Sequence, residues 1–234
     1  MKLAALVPAG GYGRGNQKTQ RKACQLLDGV PVVVRTLQRL AAFERVEHIY
    51  MVVPPEDVAF FEGEILQDLD IPGFKGIVPG GMLRQDSIKK ALDHIGDAYE
   101  YVLIHDGNRP LVSIDLLSRT VAAAEVHGAA VAAVAERSTI KGITRRNFVA
   151  LSYDRRRLRL VQTPQVYRND ILSRAYALAA RENFYGPDDS VLVERLEEKI
   201  KVVAGSRINL QISTREDLLL ARAILSIERD ETQP

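Results

Sequence analysis

Short apolar runs alternate along this chain with segments of helical period, and no other feature restricts its fold as tightly. Leu3–Val7, His48–Val53, Gly76–Val78, Tyr101–His105 and Ala129–Ala135 read as buried strands. Between them, Ser87–Ile95 sets Ile88, Ala91, Leu92 and Ile95 at the i, i+3, i+4, i+7 positions of one apolar helix face. Thr214–Asp217 has the spacing of a capping box, and Leu220, Ala223, Ile224 and Ile227 form the buried stripe expected behind it. Strands alternating with helices predict an α/β fold, a doubly wound and mostly parallel sheet whose ligands bind beyond the carboxyl ends of the strands. The alternation lapses at residues 136–162, where Ser138–Ile143, Phe148–Tyr153 and Leu158–Gln162 read as short strands divided by polar turns. That segment is expected to be a projecting β-arm on a single domain spanning residues 1–234.

Charge and composition exclude several partners. The chain has 32 basic and 30 acidic residues, too even a balance for a general polyanion binder, so nucleic acid is not expected as a partner. No apolar stretch reaches the length that crosses a bilayer, so no membrane partner is expected either. The run Leu3–Val7 is followed at once by a glycine-rich loop, which reads as a buried strand and its turn rather than a secretory signal. Cys24 is the single cysteine, which rules out an intrachain disulfide and fits a cytoplasmic protein with an inert thiol.

Three loops carry the chemistry. Pro8-Ala9-Gly10-Gly11-Tyr12-Gly13-Arg14-Gly15 follows the first strand, and without Cβ atoms its backbone N–H groups can approach an oxyanion closely. It is not a P-loop, because no Gly-Lys-Ser/Thr follows. Nor is it a dinucleotide fingerprint, because the polar run Asn16–Lys22 replaces the apolar helix that should pack behind the last glycine. An extended basic glycine loop suits a triphosphate, with Lys22 as a mobile point charge near the leaving group. Gly80-Gly81-Met82-Leu83-Arg84-Gln85-Asp86-Ser87 makes a second glycine turn before a helix start, and His105-Asp106-Gly107-Asn108-Arg109-Pro110 ends a buried strand. Pro8, Gly13, Gly80 and Arg84 thereby join the residues expected to enclose one nucleotide, with Asp106 at the sheet edge where a magnesium ion bound to its phosphates belongs. His48, His94, His105 and His127 lack metal-ligand spacing and are expected to be structural.

Taken together and in this order, these stretches resemble the 2-C-methyl-D-erythritol 4-phosphate cytidylyltransferase family and, more distantly, ribitol-5-phosphate cytidylyltransferases. Lys22, Thr139, Asp154-Arg155, Thr163-Pro164-Gln165, Asp188-Asp189 and Asn209–Asp217 add to the match, which runs nearly the length of the chain. The resemblance implies a Rossmann-like nucleotidyltransferase that moves CMP from CTP to a sugar phosphate with a divalent cation, Mg2+. It implies that Ala9, Gly10, Gly11, Gly81, Ser87 and Gly107 contact CTP, and that Lys22 stabilises charge at the reacting phosphorus; Arg14 and Lys18 in the same loop are read as partial substitutes for the cation missing at Gly15. Asp106, Arg109, Thr139, Arg155 and Thr163 are implied to surround the acceptor, and the arm to be exchanged within a homodimer. Gly15, Met82 and Gln211 depart from the family pattern, each removing a charge the family usually carries. Those departures keep two alternatives open: a ribitol or other polyol phosphate acceptor, and a nucleotide-binding homologue without efficient turnover.

Overall fold

The computed structural model of the chain describes residues 1–10 and 21–232, with side chains described as far as residue 227. Strand β1 (Leu3–Pro8) is followed by a small hairpin, β2 (Leu26–Leu27) and β3 (Val30–Pro31), then by α1 (Val32–Ala41) and β4 (His48–Val53). A single helical turn, α2 (Val58–Phe60), precedes β5 (Phe74–Pro79), α3 (Arg84–Ile95), β6 (Tyr101–Ile104), α4 (Ile114–His127) and β7 (Ala129–Ala135). A second hairpin, β8 (Lys141–Ile143) and β9 (Val149–Ser152), leads to β10 (Arg159–Arg168), α5 (Asn169–Arg181), α6 (Asp189–Glu194), β11 (Lys201–Ala204) and α7 (Arg215–Thr232).

Among the described residues, seven strands form the central sheet in the order β11-β7-β10-β6-β1-β4-β5. All neighbours pair in parallel except β10, which is antiparallel to both β6 and β7. The α/β expectation is thus met. Alternate residues of β1 face opposite sides, as strand pleating requires. Leu3, Ala5 and Val7 pack on one core with Val33, Leu37 and Leu40 of α1 and Leu117, Val121 and Ala124 of α4. Ala4 and Leu6 pack on the other with Ile88, Ala91 and Leu92 of α3 and Ile171 and Ala175 of α5. Burial on both faces explains why the strand is a continuous apolar run rather than an alternating one.

Two local expectations are corrected. Leu158–Gln162 is not a third arm strand: β10 begins at Arg159 and pairs with β7 through Arg159↔Ala135, Leu160↔Val134 and Val161↔Ala133. The arm hairpin therefore sits at the end of an antiparallel β7–β10 ladder, a connection that needs no crossover helix. In α7 the Thr214 capping box forms, with Asp217 accepting from the Thr214 amide at 2.8 Å and Thr214 Oγ1 accepting from the Asp217 amide at 3.2 Å. Only Ile224 of the expected stripe packs inward, however: Leu220 is 55% and Ile227 58% exposed, whereas Ala221 and Leu225 are buried with Leu27, Val32, Leu111 and Ile212, and Leu218 and Ile224 pack against them. The run Leu218-Leu219-Leu220-Ala221 offers more than one apolar phase, and docking on that small cluster selects among them.

Candidate active site

The chain runs outward from β1 through β4 to β5, then returns to place β6 on the other side of β1. This reversal makes a topological switch point between β1 and β6, the crevice where open α/β sheets bind ligands. The carboxyl ends of the parallel strands deliver Pro8–Gly10, Pro54, Gly80–Gly81 and Asp106–Gly107 to one edge. Backbone bonds knit these turns: Gly107 N–H donates to Pro8 O at 3.0 Å, Ala9 N–H to Val52 O at 2.8 Å and Gly80 N–H to Val53 O at 2.7 Å. Buried Thr36 of α1 donates its hydroxyl to Gly107 O at 2.9 Å, so a helix beneath the sheet edge fixes that loop. Close approach requires the glycines here: a Cβ on Gly107 meets Ala9 Cβ at 3.0 Å, and one on Gly81 meets Asp86 Cβ at 2.4 Å.

A cleft of about 270 Å3 opens over this edge, and Pro8, Gly10, Lys22, Gly81, Arg84, Ser87 and Asp106 all line it. Lys22 opens a short turn whose preceding residue, Arg21, is clamped by buried Asp57 through Nε at 2.9 Å, with its guanidinium over the Phe60 ring. In the second glycine turn, Gly81 N–H donates to Ser87 Oγ at 3.1 Å and Lys90 Nζ to Gly80 O at 2.7 Å. Met82 beside it is 98% exposed at the cleft mouth. Gly80, Ala9 and Gly107 stand behind the lining as spacers rather than on it. Gly11, Gly13, Arg14 and Gly15 lie outside the described residues. Burial raises the Cys24 thiol to about 11, in keeping with an inert side chain.

A second cleft of about 420 Å3 adjoins the first, lined in part by Arg109, Gln162, Thr163 and Gln165. Arg84, Asp106 and Gln211 line both clefts and so form their common wall. Arg109 Nε donates to Asp106 Oδ2 at 3.1 Å and its Nη1 to Asn209 O at 2.9 Å. The Arg84 guanidinium stands 3.5 Å from Asp106 Oδ1, and Gln211 Nε2 the same distance from Oδ2. Burial pushes the Asp106 carboxyl up, but Arg84 and Arg109 outweigh it and hold the group below the usual carboxylate range. Behind the wall, burial lowers His105 to about 4, and since a carbonyl can only accept, its Nε2–H donates to Arg109 O at 3.1 Å. His105 is thus a neutral structural residue, as expected from its spacing.

Two expected acceptor residues are not in either cleft. Thr139 and Arg155 are exposed on the arm, where Arg155 donates to the Arg137 carbonyl. Sequence reasoning gave no role to Asp189 or Tyr176, which touch the wall from behind: Arg84 Nη1 donates to Asp189 Oδ2 at 2.7 Å, and the Tyr176 hydroxyl donates to Asp189 Oδ1. The signal available was Asp188-Asp189-Ser190 at a helix start, where Asp188 caps α6 and leaves Asp189 to face inward.

A magnesium ion is commonly held by one or two carboxylates together with substrate phosphates. Among the described residues there is no group of three or more His, Cys, Asp or Glu side chains set to bind a metal. Asp106, ionised and on the wall of both clefts, supplies one hard oxygen donor, which fits an ion carried chiefly by the nucleotide.

A curated 2-C-methyl-D-erythritol 4-phosphate cytidylyltransferase from Syntrophus aciditrophicus is 42% identical over 227 residues, covering 97% of each chain. One from Pelotomaculum thermopropionicum is 38% identical, covering 96% of this chain and 94% of its own. The crystal structure of 4-diphosphocytidyl-2C-methyl-D-erythritol synthase from Anaerococcus prevotii superposes with a TM-score of 0.83 at 28% identity, over 96% of each chain. The cytidylyltransferase structure from Thermus thermophilus does so with 0.78 at 29% identity, over 97% of this chain and all of that one. The family model for 2-C-methyl-D-erythritol 4-phosphate cytidylyltransferase matches residues 3–227, and the chain belongs to that family.

Proposed function

We propose that this protein transfers CMP from CTP to 2-C-methyl-D-erythritol 4-phosphate and releases pyrophosphate, a step in making isoprenoid precursors. The observation that carries this reading is the common wall: Arg84, Asp106 and Gln211 border both clefts, so a nucleotide in one and an acceptor in the other meet there. An acceptor phosphate oxygen attacks the α-phosphorus of CTP in line, forming the new P–O bond as the bond to pyrophosphate breaks. The attacking phosphate is already ionised near neutral pH, so positioning and charge neutralisation carry the rate. Lys22 neutralises the α- and β-phosphate oxygens from the first cleft. The depressed pKa of Asp106 keeps it ionised, suiting it to accept an acceptor hydroxyl or hold a cation rather than to donate a proton. Mg2+, when bound at Asp106 and the phosphates, supplies charge neutralisation to the leaving pyrophosphate.

The same reading makes the protein a cytoplasmic homodimer. Ile143, Phe148, Val149 and Leu151 leave the arm hairpin apolar and exposed, a surface suited to a second copy of this chain. Thr139 and Arg155 of that copy then reach the acceptor, where the guanidinium fork suits a phosphate. The test is pyrophosphate release with each of four NTPs crossed against methylerythritol, ribitol and glycerol phosphates. Turnover is expected with CTP and methylerythritol phosphate alone. Preference for ribitol phosphate reassigns the acceptor, and CTP binding without turnover on any acceptor leaves a nucleotide-binding homologue.

A further inference from the structure

Arg84 stands between two carboxylates at unequal distances. Its Nη1 is 2.7 Å from Asp189 Oδ2, whereas its Nη2 is 3.5 Å from Asp106 Oδ1. Asp189 is 1% exposed at the start of α6, and the Tyr176 hydroxyl donates to its other oxygen. Next to it, Asp188 accepts from Gln165 Nε2 at 3.2 Å, and Gln165 Oε1 in turn accepts from the Tyr167 hydroxyl at 2.7 Å. The partner of Arg84 is therefore held by a buried polar frame from β10, α5 and α6, while Arg84 itself lines both clefts.

We propose that Asp189 is a positioning residue for cytidylyl transfer: it draws the Arg84 guanidinium off Asp106 and aims its free edge at the wall shared by the nucleotide and the acceptor. A long arginine side chain at the first turn of α3 has many rotamers, and an anchored carboxylate selects one of them. Arg109 already holds Asp106 Oδ2, so without that carboxylate the guanidinium closes from 3.5 Å to hydrogen-bond distance on Oδ1, the oxygen Arg109 leaves free. Both oxygens of Asp106 are then taken from the acceptor, and the wall loses its open donor. Reacting groups displaced by about 1 Å cost on the order of 100-fold in rate, so the effect should be visible in turnover.

The proposal rests on the transfer reading, and the experiment separates the two. Turnover of CTP and methylerythritol phosphate is measured in wild type, D189N, R84Q and the double variant, with unfolding midpoints recorded for each. D189N is expected to lose about 10- to 100-fold in kcat and to raise the KM of the acceptor, with a smaller loss of CTP affinity because Arg84 also lines the nucleotide cleft. In the R84Q background the same substitution should cost nothing further, because Asp189 acts through Arg84. A D189N crystal structure should show Arg84 in direct contact with Asp106. Should D189N fold poorly, Y176F frees one Asp189 oxygen while keeping both charges, and its smaller loss of kcat should likewise vanish in R84Q. Equal losses in both backgrounds, or unchanged kcat in the variant that folds, overturn the proposal alone. A wild-type protein that releases no pyrophosphate overturns the transfer reading and this proposal with it.

Discussion

The Thr163 hydroxyl accepts the backbone N–H of Asp106 at 3.0 Å, tying the end of β6 to the antiparallel strand β10. This one bond fixes the carboxylate shared by both clefts to the strand that continues into the arm. Thr163→Val keeps the side-chain shape and leaves the Asp106 amide without its acceptor. An unmet buried donor costs about 1–3 kcal/mol, so the denaturant midpoint should fall accordingly, and turnover should fall as Asp106 loosens. A variant of unchanged stability and rate removes Thr163 from the positioning of Asp106.

Acid stability should carry the signature of His105. Burial lowers its pKa to about 4, against about 6.5 in an unfolded chain. Between those values the unfolded state binds a proton that the folded state refuses, so stability drops as pH falls from about 6.5 towards 4. Asp106 contributes at lower pH: its depressed pKa stabilises the fold above about 4 and is lost as pH falls further. His105→Gln should therefore flatten the loss between pH 6.5 and 4 and leave the lower branch in place, as read from denaturant midpoints across pH. An equally steep decline in the variant assigns that proton to another group.

Gly81→Ala should weaken CTP binding. The new Cβ comes within 2.4 Å of Asp86 Cβ, so the start of α3 must move and carry Ser87 and Arg84 with it. Calorimetry should show at least about a tenfold loss of affinity, or 1.4 kcal/mol. Wild-type affinity in a folded variant takes the second glycine turn out of the nucleotide site.

If the arm completes a partner's site, Lys22→Ala and Arg155→Ala lie on different halves of each composite site. A mixed dimer then holds one site with both residues intact. Each variant alone should be nearly inactive, and mixing them under subunit exchange should restore measurable turnover. Exchange demonstrated by mass spectrometry without restored turnover means that Arg155 serves its own chain or none.

The parallel core was legible in the sequence because burial on both faces leaves a compositional mark: Leu3–Val7 and Ala129–Ala135 are apolar throughout, and Ile88, Ala91, Leu92 and Ile95 keep a helical period. The motif residues that reach the clefts were legible as well: Lys22, Gly81, Arg84, Asp106 and Arg109 follow or open a regular element, whereas Thr163, inside β10, was marked by the family resemblance alone. Tertiary structure decided what local pattern leaves degenerate. The phase of α7 was set by docking on Leu27, Val32, Leu111 and Ile212, because an apolar run satisfies several helical phases equally. Arg159–Val161 joined the central sheet because β7 offered it a ladder, and short strands take their place from their partners. The bond from Arg84 to Asp189 spans 105 residues and depends on α6 turning one of two adjacent aspartates inward. No spacing rule reaches across that separation, since contacts so distant in sequence exist only once both cores have closed around the sheet.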